Sequence, residues 1–216
     1  MRGGPVIAVD GPAAAGKGTL ARKLAEALEL PYLDTGLLYR AVGRLALDAG
    51  QDPAQPAQKF AQALTPADMQ RKDLRTPEVA LAASKVAAQP AVRAALVETQ
   101  RRFAAERGAV LDGRDIGTAI FPDADVKLFI TASPATRALR RFLQSGGNTS
   151  AADAQAQLGQ MEEALRARDE ADASRDSAPM CVADDAYEIE TDTLDAQAVL
   201  AEALRFARDR LVTTRG

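Results

Sequence analysis

Residues 9–20 read VDGPAAAGKGTL. The frame G-x-x-x-x-G-K is complete, with Gly11, Gly16 and Lys17. A standard phosphate-binding loop continues with Ser or Thr, whose hydroxyl ligates Mg²⁺. Here Gly18 holds that position and Thr19 follows one place late. The flanks decide whether the loop is real. VIAVD at 6–10 is a near-continuous apolar run, the pattern of a strand buried on both faces. Leu20, Leu24 and Leu28 recur at every fourth residue, one face of a helix. Strand, loop and helix in that order bring backbone N–H groups and a positive helix end to the same point, and Lys17 adds a mobile charge. A bare glycine turn is the competing reading, and the flanking strand, helix and Thr19 weigh against it.

The remainder of the chain repeats the alternation. AVLD at 109–112, VKLFITA at 126–132 and YEIE at 187–190 read as strands, and PYLD at 31–34 as a weaker one. Leu38, Val42 and Leu45 mark a helix stopped near Gly50. Thr76-Pro77-Glu78 reads as N-cap, first-turn proline and first-turn acid. Pro90 starts another helix, carrying Val92, Leu96 and Phe103 and ending at Gly108. Ser133-Pro134 opens the next, and helical patterns over about 151–170 and 194–212 complete the set. Strands alternating with helices predict an α/β fold, a doubly wound parallel sheet. Residues 51–75 carry three prolines and little periodicity, and SGGNTS at 145–150 suits a hinge.

Composition narrows the class. The chain has 216 residues, 47% of them apolar, enough for one α/β domain with a full core. Net charge is −3, which gives no general attraction to nucleic acid or to an acidic membrane. Anions must then be met by local arginines and backbone N–H groups. One cysteine, Cys181, excludes an internal disulfide, and the absence of histidine removes the commonest general base. The first apolar run is too short for a signal peptide and no stretch reaches the length of a membrane span, so a cytoplasmic protein is expected.

Ligands of open α/β sheets lie beyond the carboxyl ends of the strands. Thr35 and Arg40 follow one such end, and Asp112, Arg114 and Asp115 follow another, so these residues are expected to face the mouth of the loop. Arg137, Arg140 and Arg141 cluster on one short helix. Arg166, Arg168 and Arg175 lie on or past the next, among Asp169 and Asp172. They are either a charged helix with local ion pairs or a lid that carries arginines over phosphates.

These stretches together resemble the bacterial cytidylate kinases, within the nucleoside monophosphate kinases. The matching segments are DGPAAAGKGT, LDTGLLYR, RTPEVALAASKVAAQPAVRAAL, DGRDIGTAIFPDADVKLFITAS and RDEADASR, in the family's order from residue 6 to about 180. The resemblance implies a P-loop kinase with a five-stranded parallel sheet of order 2-3-1-4-5. It further implies a single domain over 1–216, with a monophosphate-binding insert over 51–107 and a lid over 137–175. The implied reaction is transfer of phosphate from ATP to CMP or dCMP with Mg²⁺, by a monomer that needs neither nucleic acid nor membrane. A kinase for UMP or AMP, or a nucleotide-binding protein without turnover, remain the alternatives.

By the same resemblance, Gly11, Pro12, Ala13, Ala14, Ala15, Gly16, Lys17, Gly18 and Thr19 cradle ATP phosphates. Lys17, Arg114, Arg168 and Arg175 are the catalytic charges. Thr35, Arg40, Ser84, Arg93, Arg114, Asp115, Arg168, Asp172 and Arg175 match positions that hold CMP. Gly18 cannot ligate metal, so Mg²⁺ is expected on phosphate oxygens and water with Thr19 as a weak ligand. The set Asp115, Arg93 and Ser84 suits cytosine: a carboxylate accepts from the N4 amino group, while a guanidinium or hydroxyl donates to N3 and O2. Ala13 and Ala14 stand where the family often has Ser and Gly, and Ala171 where it usually has another arginine. The stretch after residue 50 is too short for the family's small antiparallel sheet, so helices and loops are expected there.

Overall fold

All five residues of β1 (Val6–Asp10) are buried, and the chain on either side of them folds to make that possible. The computed structural model describes residues 3–213. Its strands are β1, β2 (Tyr32–Asp34), β3 (Ala109–Asp112), β4 (Val126–Thr131) and β5 (Tyr187–Glu190), in sheet order β2-β3-β1-β4-β5. This is the expected order. In the register, Val6 lies beside Ala109, Ile7 beside Val126 and Leu128 beside Tyr187, all parallel. Val110 N–H donates to the Pro31 carbonyl at 2.8 Å, next to β2.

The chain divides into two compact units. The larger comprises residues 5–32 and 109–213. Its helices are α1 (Lys17–Leu28), α7 (Pro134–Gln144), α8 (Ala154–Ala173) and α9 (Ala196–Thr213). Its core joins Ile7, Val9, Leu128, Ile130 and Ile189 from the sheet to Leu20 and Leu24 of α1 and Val199 and Ala203 of α9. Each of the valine, leucine and isoleucine side chains contributes about 1.5–3 kcal/mol by leaving water. The start of α7 follows its sequence: Pro134 takes the first turn, and the Ser133 hydroxyl accepts from Thr136 N–H at 3.2 Å. Its C-terminus is closed by residues 145–147: Gly146 N–H and Gly147 N–H donate to the Leu143 and Phe142 carbonyls. The supposed hinge is thus, at its first residues, a helix cap.

The smaller unit comprises residues 3–4 and 33–108. It contains α2 (Thr35–Asp48), α3 (Gln58–Gln62), α4 (Pro66–Met69), a 3₁₀ turn (Lys72–Arg75), α5 (Pro77–Ala87) and α6 (Pro90–Ala104). Helix α2 packs closely on α5 because Gly43 has no side chain: a Cβ there would lie 3.0 Å from backbone and side-chain atoms of Ala82. Residues 51–75 form helices and loops with no strand, as expected. They are anchored more firmly than their prolines suggest. Ala57, Ala61 and Leu74 are buried. The Gln89 amide donates to the Pro53 and Gln55 carbonyls and accepts from Ala57 N–H. Arg71 pairs with Asp48 and Asp73. Thr65 and Asp68 cap α4 reciprocally, so even a helix of one turn has a defined start.

Candidate active site

The loop leaves β1 at Asp10 and enters α1 at Lys17. Gly16 takes φ 93°, the left-handed conformation that turns the chain into the helix. Ala14 also adopts positive φ, 62°, a conformation that costs an L-residue about 1–2 kcal/mol. Lys17 Nζ lies 3.2 Å from Asp112 Oδ1, and both side chains are nearly buried. The Tyr32 hydroxyl donates to Asp112 Oδ2 at 3.4 Å. A Cβ on Gly18 would sit 2.8 Å from the same Oδ2. Position 18 is glycine because the Asp112 carboxylate occupies the space a Ser or Thr side chain would need.

Two arginines of α7 hold the loop by its carbonyl groups. Arg137 donates from Nε to the Ala132 carbonyl at 2.9 Å and from Nη1 to the Ala13 carbonyl at 3.3 Å, and its Nη2 pairs with Asp169 at 2.6 Å. Arg140 donates to the Ala15 carbonyl at 3.4 Å and to the hydroxyl and carbonyl of Thr191. These side chains are neither solvated charges with local partners nor free lid charges. The loop carbonyls they hold lie 124 and 125 residues away in sequence, which is why helix spacing did not reveal them. Beside the loop opens a cavity of about 340 Å³, lined by Thr19 and Lys23 on one side and by Ile130, Arg140, Leu194 and Val199 on others.

The turn after β3 carries Arg114 and Asp115. Arg114 Nε donates to Asp172 Oδ2 at 3.0 Å, and Arg175 pairs with Asp172 Oδ1. Asp172 is 1% exposed. Arg114, Asp172 and Arg175 are therefore brought together, and Arg168 lies on the same face of α8, half-buried. Asp115 is buried and precedes a π-helical turn, Ile116–Ile120, in which its carbonyl accepts from Ala119 and Ile120. The Asp10 carboxylate accepts from Ile116 N–H at 2.8 Å and Gly117 N–H at 2.7 Å. Burial raises its pKa to about 7, against the opposing pull of those two N–H groups and of Lys17. Asp112 beside Lys17 lies at the mouth of the loop, where its place after a strand end puts it, whereas the Asp10 contacts do not stand out in the sequence, because they join residues about a hundred positions apart.

Thr35, Arg40, Ser84 and Arg93 belong to the smaller unit. Thr35 opens α2 and is buried. Arg40 donates to the Leu74 carbonyl at 2.9 Å, which ties α2 to the 3₁₀ turn Lys72–Arg75. Ser84 is half-buried on α5. Arg93 is buried on α6, donates to the Ala87 carbonyl at 3.4 Å and lies over the Tyr39 ring at 5.8 Å.

A parallel sheet with this strand order, a strand–loop–helix turn at the carboxyl end of its central strand and a basic set beside it define a P-loop phosphotransferase. The cytidylate kinase family profile matches residues 7–209, and the chain belongs to that family. It is 58% identical over 205 residues to a cytidylate kinase of Granulibacter bethesdensis, covering 94% of this chain and 96% of that one. It is 56% identical over 202 residues to one of Acidiphilium cryptum, covering 92% of each. Among solved structures, an uncharacterized protein from Eubacterium ventriosum shares the fold at TM-score 0.50 and 14% identity, with 94% of this chain and 98% of that one covered.

Proposed function

We propose that the chain transfers the γ-phosphoryl group of ATP to CMP and dCMP, giving the diphosphates and ADP. The observation that carries this reading is the pairing, in one unit, of a lysine-bearing phosphate cradle with a turn that presents Arg114 and Asp115. The attacking oxygen of a nucleoside monophosphate is already anionic, so transfer needs positioning and charge rather than a strong base. A chain without histidine is suited to that. The cavity beside the loop, with its apolar lining and Arg140 at the edge, suits the donor's base. Lys17 and the N–H groups of the loop meet the donor phosphates. Arg114 and Arg175, already held by Asp172, meet the transferring group and the acceptor phosphate, with Arg168 alongside. Asp115 accepts from the cytosine amino group. Uracil would set a carbonyl against that carboxylate, and an unmatched buried polar group costs about 1–3 kcal/mol.

Mg²⁺ fits this site as an ion carried by the nucleotide. No group of three or more metal-ligating side chains occurs among the described residues. The Asp112 carboxylate and the Thr19 hydroxyl are the side chains that would hold it, and when bound it supplies neutralisation of phosphate charge. No helix of the described residues is long and apolar enough to cross a membrane, and a cytoplasmic monomer of pyrimidine nucleotide metabolism agrees with soluble substrates.

ADP release, measured with CMP, dCMP, UMP and AMP titrated separately, tests the proposal. The expected order of kcat/KM is CMP and dCMP above UMP by at least about tenfold, with AMP lowest. A higher value for UMP or AMP would assign the other acceptor, and no CMP-dependent ADP would leave a binding protein.

A further inference from the structure

Asp10 is the last residue of β1, and the next residue, Gly11, begins the phosphate cradle. Its side chain does not face the cradle's contents. It spends one oxygen on the N–H of Ile116 and the other on the N–H of Gly117, at 2.8 and 2.7 Å. Those are the first two amides after Asp115. They open the π-helical turn, and the opening amides of any helical turn have no partner within it. Asp10 supplies that partner from a strand 106 residues away in sequence. A carboxylate in this place is costly, being 5% exposed, and Lys17 and Asp115 are the charged groups whose fields reach it. An asparagine would be cheaper to bury but could accept only one of the two N–H groups while opposing its own amide hydrogens to the other. A core filler would not need two acceptors. The double contact has a directional consequence: it fixes the peptide planes that immediately follow Asp115, and so the backbone that aims the Asp115 carboxylate and the adjoining Arg114.

We propose that Asp10 is a positioning residue for acceptor choice, holding the Arg114–Asp115 turn in register with the phosphate cradle. The proposal deepens the reading of Asp115 as the group that recognises the cytosine amino function, and it rests on that reading. Asp10 touches neither substrate and acts through the turn.

The test compares Asp10→Asn, Asp10→Ser and Asp115→Asn in steady-state kinetics with CMP and UMP, alongside thermal unfolding of each. Asp10→Asn is expected to fold, to keep its KM for ATP within about twofold, to raise KM for CMP about tenfold and to lower the CMP-over-UMP ratio of kcat/KM at least about fivefold. A purely structural role would lower the melting temperature and depress both acceptors alike with the ratio unmoved. If Asp115→Asn shifts the ratio and folded Asp10→Asn does not, the positioning role is overturned while the reading of Asp115 stands. If Asp115→Asn leaves the ratio unchanged, that reading fails and the proposal with it. If neither variant at position 10 folds, Asp10 is a folding residue and the proposal is wrong.

Discussion

Restoring the usual hydroxyl at position 18 is expected to harm the enzyme. In Gly18→Ser the new Cβ would lie 2.8 Å from Asp112 Oδ2, and ordinary contact begins at 3.4 Å, so the carboxylate must retreat by about 0.6 Å. It cannot retreat without loosening Lys17, now 3.2 Å from its other oxygen, or the Tyr32 hydroxyl at 3.4 Å. Moving Lys17 Nζ beyond about 3.5 Å forfeits a charge-assisted hydrogen bond of roughly 1.5–3 kcal/mol. Through a lysine proposed to meet the donor phosphates, this corresponds to an expected loss of about 10- to 100-fold in kcat/KM for ATP. The assay is ADP release with ATP and Mg²⁺ each titrated, together with thermal unfolding to show that the fold persists. An unchanged or improved kcat/KM, or a lowered Mg²⁺ requirement, would refute the reasoning. It would mean that the space at Gly18 is available to a metal-ligating hydroxyl and that Asp112 does not exclude one.

Lys17→Ala should lower kcat by about 10²–10³-fold with native circular dichroism; near-normal kcat in folded protein would contradict the assignment of the cradle. Ala14→Gly removes the cost of φ 62° and adds glycine's unfolded-chain entropy, for a net gain of about 0.5–1 kcal/mol and a rise in Tm of about 1–4 °C. Calorimetry checks it, and a fall in Tm is the contrary result. The Asp10 pKa is raised, to about 7 from an ordinary 3.8, so the folded chain holds a proton that the unfolded chain has lost between those values. Its contribution is full below about pH 4 and is lost as pH rises through 7, on the order of 2 kcal/mol between about pH 5 and 7. Urea unfolding of wild type against Asp10→Asn across that range should show the difference declining, and a constant difference would disprove it. Amide exchange in the free protein should be fast over 51–56 and 63–71 but slow at Ala61 and Leu74, with protection of the fast stretches rising when CMP binds; uniform protection before ligand would show a rigid insert.

Much of the fold could be read locally. Leu20, Leu24, Leu38 and Val42 fell on buried helix faces as their spacing predicts, and the caps at Thr76 and Ser133 sit where their prolines imply. The strand order came from resemblance, since periodicity says nothing about which strands are neighbours. Contacts between distant residues were not legible. Asp10 ends the apolar run VIAVD with nothing to mark its partners, whereas Asp112 is expected at the mouth of the loop from its place after a strand. For Arg137 and Arg140 the sequence leaves open local ion pairs or a lid, because a helix pattern reports faces and not partners. The π turn leaves no periodic trace in IGTAI, and α3 and α4 are too short to have one.

Arg137 and Arg140 grip the carbonyls of Ala13 and Ala15, and a peptide unit is a rigid plate. In a trans peptide the C=O and the following N–H point in opposite directions, and no cis peptide occurs among the described residues. Holding the two oxygens toward α7 therefore turns the N–H groups of Ala14 and Gly16 away from it. Each plate becomes a dipole with a guanidinium at its negative end and its positive end left for an anion. On the proposed reading of the loop, the arginines would act on a phosphate they do not touch, and polarisation along the plate would make each N–H a stronger donor than an isolated amide.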